Sequence, residues 1–138
     1  MSNNEERNLA AAASLCNAWN AHDPDGFAGH FAQDGIWLLA RGNPPDGFTV
    51  RGKTAIRDMY HHYCTTITDL HCEVSCHWAN GDDRACSEWH ITGTMANGEK
   101  LDWLGLDLWQ FDHTGKVVRC DAYYKSQGNL TGQGKASG

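Results

Sequence analysis

DLHCEVSCHWANGDDRACSEWHITGTM, residues 69–95, reads as two strands and the turn between them. Leu70, Cys72, Val74, Cys76 and Trp78 alternate with His71, Glu73, Ser75 and His77. This is the period of two that sends successive side chains to opposite faces of a sheet. NGDD at 80–83 supplies turn chemistry, and residues 84–95 resume the pattern. Downstream, KLDWLGLDLWQF (100–111) and KVVRCDAYYK (116–125) follow behind ANGE and DHTG turns. Strands joined by turns this short predict an antiparallel sheet.

Upstream the period changes. Residues 5–22 are alanine-rich and space Leu9, Ala12, Leu15, Cys16 and Trp19 as one helical face. Asp23 before Pro24 reads as the N-cap of a second, short helix, PDGFAGHF. GIWLLA (35–40) is an apolar run that predicts a buried strand. RGNPPDGFTVRG (41–52), with two prolines and three glycines, is expected to be a loop, placed to act as a lid. A third helix is predicted over 53–66. Helices followed by strands give an α+β layout: N-terminal helices packed on one face of a strongly curved antiparallel sheet. The expected organisation is one domain over 1–138, with its core at about 5–126 and a flexible tail at 127–138.

The 138 residues include 41% apolar and 20% charged side chains, which excludes a disordered chain. No apolar run approaches a bilayer span, so no membrane partner is expected. A net charge of −6 without a basic cluster argues against nucleic acid. The N-terminus carries acids where a secretory signal needs Lys or Arg. The six cysteines are read as reduced thiols, and the expected location is the cytoplasm. His71, Cys72, Cys76 and His77 invite a zinc reading. However, strand residues four apart lie about 13 Å from one another and neighbours face opposite ways. No metal and no cofactor are expected.

AWNAHDPDGFAGHFAQDGIW (18–37), RGKTAIRDMY (51–60), TDLHCEV (68–74), GLDLWQFDHTGKVV (105–118) and DAYYK (121–125) together resemble the SnoaL-like branch of the nuclear-transport-factor-2-like superfamily. The resemblance covers residues from about 8 to 126. It implies a bent sheet wrapped into a cone, helices closing its wide side, a pocket inside and a homodimer formed through the outer sheet face. Members include isomerases, dehydratases, cyclases, epoxide hydrolases, oxygenase subunits and plain binders.

Asp107 is the most chemical position. Leu106 and Leu108 flank it, and Trp103 and Trp109 share its face. Burial among apolar groups raises a carboxyl pKa, and a neutral acid can donate to a developing oxyanion. The passage resembles the strand that carries such an acid in ketosteroid isomerases. Leu39 stands where those enzymes place their proton-abstracting carboxylate. His71 is the candidate base, on a strand similar in register to the one bearing the catalytic histidine of related dehydratases and dehydrochlorinases. Those enzymes orient it with an aspartate, and Asn20 occupies that place here. By alternation His71 shares a polar face with Glu73, Ser75 and His77, and a bulge would be needed to turn it inward.

Trp37, Leu39, Tyr60, Trp103, Trp109 and Tyr124 are the expected pocket walls; Tyr63 shares the third helix with Tyr60. The leading expectation is cofactor-free acid/base chemistry on a small, hydrophobic, flat molecule: elimination, isomerisation or a related lyase step. The alternatives are a non-catalytic binder of a small aromatic ligand and a small subunit supporting a partner enzyme.

Overall fold

The computed structural model describes residues 2–125, and the tail expected at 127–138 lies outside them. Helix α1 runs Asn3–Asn20. Ser2 Oγ accepts from the Glu5 N–H at 3.1 Å, and Glu5 Oε1 accepts from the Ser2 N–H at 2.9 Å. Two of the orphan donors at the helix start are thus satisfied reciprocally. The buried stripe is Asn8, Ala12, Leu15 and Cys16. Asn8 is fully buried because its Nδ2 donates to the Asp82 carbonyl at 2.8 Å, pinning α1 to the turn at 81–83. Helix α2 (Pro24–Gly29) starts where Asp23 accepts from the Gly26 N–H at 3.0 Å, so that carboxylate serves as a cap.

Strands β1 (Phe31–Leu39) and β2 (Phe48–Arg51) precede helix α3 (Lys53–Thr66); β3 (His71–Asn80), β4 (Arg84–Thr94), β5 (Lys100–Phe111) and β6 (Val117–Lys125) follow. The strand order is β2-β1-β6-β5-β4-β3. Strand β1 starts at Phe31, four residues ahead of the strand expected at 35–40, and two larger features also depart from the sequence reading. Residues 48–51, expected as loop, pair antiparallel with β1 as β2, so the connection shrinks to residues 40–47. Gly47 makes that turn possible: its φ is +85°, and a Cβ there would meet the Leu39 carbonyl oxygen at 2.0 Å. Secondly, β1 pairs parallel with β6 (Trp37↔Cys120), so the sheet is mixed, with its other pairs antiparallel. Alternation cannot distinguish those directions.

The sheet curls without closing, and the helices fill its concave side, α1 against β3 and β4 and α3 against β1. Leu15, Phe27, Phe31, Ile56 and Val117 are buried between these layers. Among the described residues no element covers the convex face, which carries the exposed Leu104, Leu108, Tyr123 and Trp78. Among the described residues no helix is long and apolar enough to cross a membrane.

Candidate active site

A cavity of about 120 Å³ lies between the helices and the concave face of the sheet. Trp103, Asp107 and Trp109, alternate residues of β5, line it. Strand β1 brings Trp37 and Leu39, and β6 brings Cys120 and Tyr124. Trp89 comes from β4, while Cys16, Trp19 and Tyr63 come from the helices. One end is sealed, where Trp109 and Cys120 are almost fully buried. The other end opens beside Met95, which is 40% exposed, and the partly exposed Trp103 and Leu39. Trp103 stacks on Tyr124 there, with ring centroids 4.5 Å apart and planes within 15°.

Asp107 sits toward the sealed end. The surface it keeps is cavity wall, and protein surrounds the carboxyl. Desolvation pushes its pKa up to about 7, and the negative charge of Asp121 across the sheet adds to the rise. The Cys120 thiol and the Trp89 indole N–H oppose it by favouring the carboxylate. Trp89 acts from a position short of full hydrogen-bond geometry, and its N–H has no other partner among the described residues. The Cys120 thiol, buried beside this acid, is held well above the ordinary thiol range. Burial likewise raises the Tyr63 hydroxyl to about 12, so it stays a neutral donor.

The other expected site residues lie elsewhere. His71 is outside the cavity: it is exposed on β3, 3.6 Å from Glu73 Oε1. The strand keeps its alternation up to Val74, so His71 stays on the polar face. Asn20 does not orient it. Both ends of the Asn20 amide are spent on Cys72, whose N–H donates to Oδ1 at 2.7 Å while Nδ2 donates to the Cys72 carbonyl at 2.8 Å. Tyr60 is not in the cavity wall. It is fully buried behind Trp19, stacked at 4.5 Å, with its hydroxyl donating to the Trp19 carbonyl. Tyr63, almost one turn along the same helix, reaches the cavity instead.

A bulge does exist in β3, but it falls between Val74 and Cys76, after His71. The extra residue reverses the faces beyond it. Cys76 turns outward and His77 turns inward, where its Nδ1 lies 2.7 Å from Ser87 Oγ. The same oxygen accepts from the Trp109 Nε1–H at 2.9 Å, so the pair braces an indole of the cavity wall from behind. The four residues of the zinc reading are thereby divided between the two faces. Trp89 and Cys16 were missed by the sequence reading, although Trp89 alternates with the buried Ser87 and Ile91, and Cys16 was already on the apolar face of its helix.

Among curated proteins no sequence matches this chain. Solved structures share its architecture at low identity. Bal32a, from a soil-derived mobile gene cassette, is 18% identical with a TM-score of 0.78, covering 88% of this chain and 92% of that one. SalBIII, an epoxide hydrolase/cyclase-like enzyme of pyran ring formation in the polyether salinomycin, is 14% identical with a TM-score of 0.75, covering 87% and 92%. RV0760c of Mycobacterium tuberculosis, solved with estradiol-17beta-hemisuccinate, is 17% identical with a TM-score of 0.74, covering 86% and 94%. At these identities the likeness carries the fold alone. The sequence goes further, because the pattern of the SnoaL-like domain runs through residues 12–120, from the first helix to the strand that faces Asp107. The chain belongs to the SnoaL-like domain family.

Proposed function

We propose that the chain is a cofactor-free acid/base catalyst of the cyclase or isomerase type, acting on a small hydrophobic molecule, with Asp107 as the group that takes and returns the proton. The observation that carries this reading is a carboxyl at the sealed end of an aromatic cavity, poised at a pKa of about 7. A base works best when its pKa lies near the operating pH. Among the described residues no Lys, Arg, His or second carboxylate lines the cavity. A single titrating group suits reactions in which the proton removed is put back on the same molecule, as in isomerisation or ring closure through an enol. It suits elimination less: the Tyr63, Tyr124 and Cys120 donors of the wall are all held above their ordinary range, so they make weak acids for a leaving group. The relatives include a cyclase-like enzyme and a protein that holds a small ligand, which supports the class without naming a substrate.

Proton exchange at carbon tests this directly. In deuterated buffer the protein is expected to speed exchange of the protons α to the carbonyl of cyclohex-2-enone, followed by NMR. The rate should rise with pH through about 7 as Asp107 ionises, and then level. Asp107→Asn should lower it by about 10²-fold or more. Equal rates in wild type and variant would sink the proposal. A binder without turnover is the second reading, favoured by a wall that is apolar apart from Asp107 and a few weak donors. It predicts uptake of the ketone with no exchange.

We also propose a homodimer through the convex face, where exposed Leu104, Leu108, Tyr123 and Trp78 stand among His90, Asp121 and Lys125, a mixed surface that a two-fold axis would match against itself. Its six cysteines are free thiols, which fits a reducing compartment such as the cytoplasm.

A further inference from the structure

We infer that the cavity selects ligands with a single ring, neutral at the buried end, and that Trp103 sets this limit by holding Tyr124, on which it stacks, in place beside Trp89. The inference rests on Asp107 being the working group, and adds the class of molecule that reaches it. The space is about 120 Å³. An apolar cavity of about 150 Å³ takes up one benzene ring. A steroid such as the one held by the relative therefore has no room at the sealed end in this arrangement.

The walls explain the limit. Asp107 and Trp103 are four residues apart on β5, about 13 Å at ~3.3 Å per residue. Between them lies Gly105, and the ground above it is taken. A Cβ there would meet the Tyr124 Cβ at 2.6 Å and the tip of the Trp89 indole at 2.9 Å. Trp89 and Tyr124 thus close over the middle of the strand, and Trp103 lies stacked on Tyr124 at the mouth. A ring seated against Asp107 has these side chains behind it, with little apolar space for a second fused ring.

The polarity of the ligand follows from the same surroundings. No cation lines the cavity among the described residues, so an anionic group beside Asp107 would be unsupported. A carbonyl oxygen suits the site: protonated Asp107 can donate to it, and the carboxylate can remove a proton from the adjacent carbon. The expected ligand is a cyclic ketone or enone of one ring, with any substituent directed past Trp103 to the mouth.

Binding of cyclohex-2-enone, 1-tetralone and estrone, followed by tryptophan fluorescence and saturation-transfer NMR, tests the size limit. Larger apolar ligands ordinarily bind better because they bury more surface. A preference for the smallest would therefore run against that trend. Wild type is expected to bind cyclohex-2-enone and to bind 1-tetralone and estrone at least tenfold more weakly. Trp103→Ala should gain at least tenfold for 1-tetralone; Trp103→Leu, a milder truncation, should gain in the same direction if the alanine variant fails to fold. Wild type binding 1-tetralone or estrone as tightly as cyclohex-2-enone overturns the inference, as does failure of all three to bind or a Trp103 truncation that leaves the order unchanged. The two readings separate cleanly. If cyclohex-2-enone binds selectively but its protons do not exchange, the size limit stands and the acid/base role falls. If estrone binds and exchanges, the reverse holds.

Discussion

Ionising Asp107 inside the cavity carries a desolvation cost that the unfolded chain does not meet. Its pKa is about 7 in the fold against an ordinary 3.8. Between those values the folded state keeps a proton that the unfolded state has lost, so stability falls as pH rises through this window and then levels. The rise in pKa corresponds to roughly 4 kcal/mol, a tenfold change in proton affinity being ~1.4 kcal/mol. Asp107→Asn is therefore expected to be clearly more stable than wild type at pH 8 and nearly equal to it at pH 4, as measured by urea unfolding at both. An equal difference between the two proteins at both pH values would show that the carboxyl reaches water. Trp89 tests the same balance from the other side. Its N–H favours the carboxylate, so Trp89→Phe should move the midpoint of the exchange rate to higher pH. An unmoved midpoint would remove Trp89 from the electrostatics of the site.

At the scale of elements, the free edge of β3 matters most. Cys72 points its N–H and carbonyl away from β4, and Asn20 answers both as a neighbouring strand would. An aspartate in its place accepts from the N–H but sets a negative oxygen against the carbonyl. Asn20→Asp should thus destabilise by about 1–2 kcal/mol in urea melts, without raising exchange activity. Ser87→Ala should cost about 1–3 kcal/mol, because it leaves the buried Trp109 N–H without its acceptor. What the sequence disclosed follows these elements. The helices, the long strands and the inward face of β5 are legible, because period and caps are local. The side on which each histidine of β3 falls is not, because one extra residue at Ser75 reverses His77 and leaves His71 untouched. The choice between Tyr60 and Tyr63 depends on helix phase: less than one turn separates a core tyrosine from a cavity tyrosine. β2 was hidden because four residues flanked by glycines and prolines look like a loop until β1 is there to pair with them.

At the scale of the whole molecule, the convex face predicts assembly. Leu104 is 59% exposed and Tyr123 55%, on the two central strands of the sheet. Leu104→Asp is expected to convert a dimer to a monomer in sedimentation velocity, with the cavity and its exchange chemistry retained. A wild-type monomer at micromolar concentration would overturn the dimer. The parallel seam between β1 and β6 has a different consequence, one of timing. β1 ends at Leu39 and its neighbour begins at Val117, so a nascent chain leaves the ribosome with that flank bare until nearly all of the described sequence has been translated. Contacts so distant along the chain slow folding and prolong exposure of strand edges. Synthesis halted before residue 117 would therefore yield a species that a chaperone holds or a protease removes, and the enclosure around Asp107 would come into being only at the end.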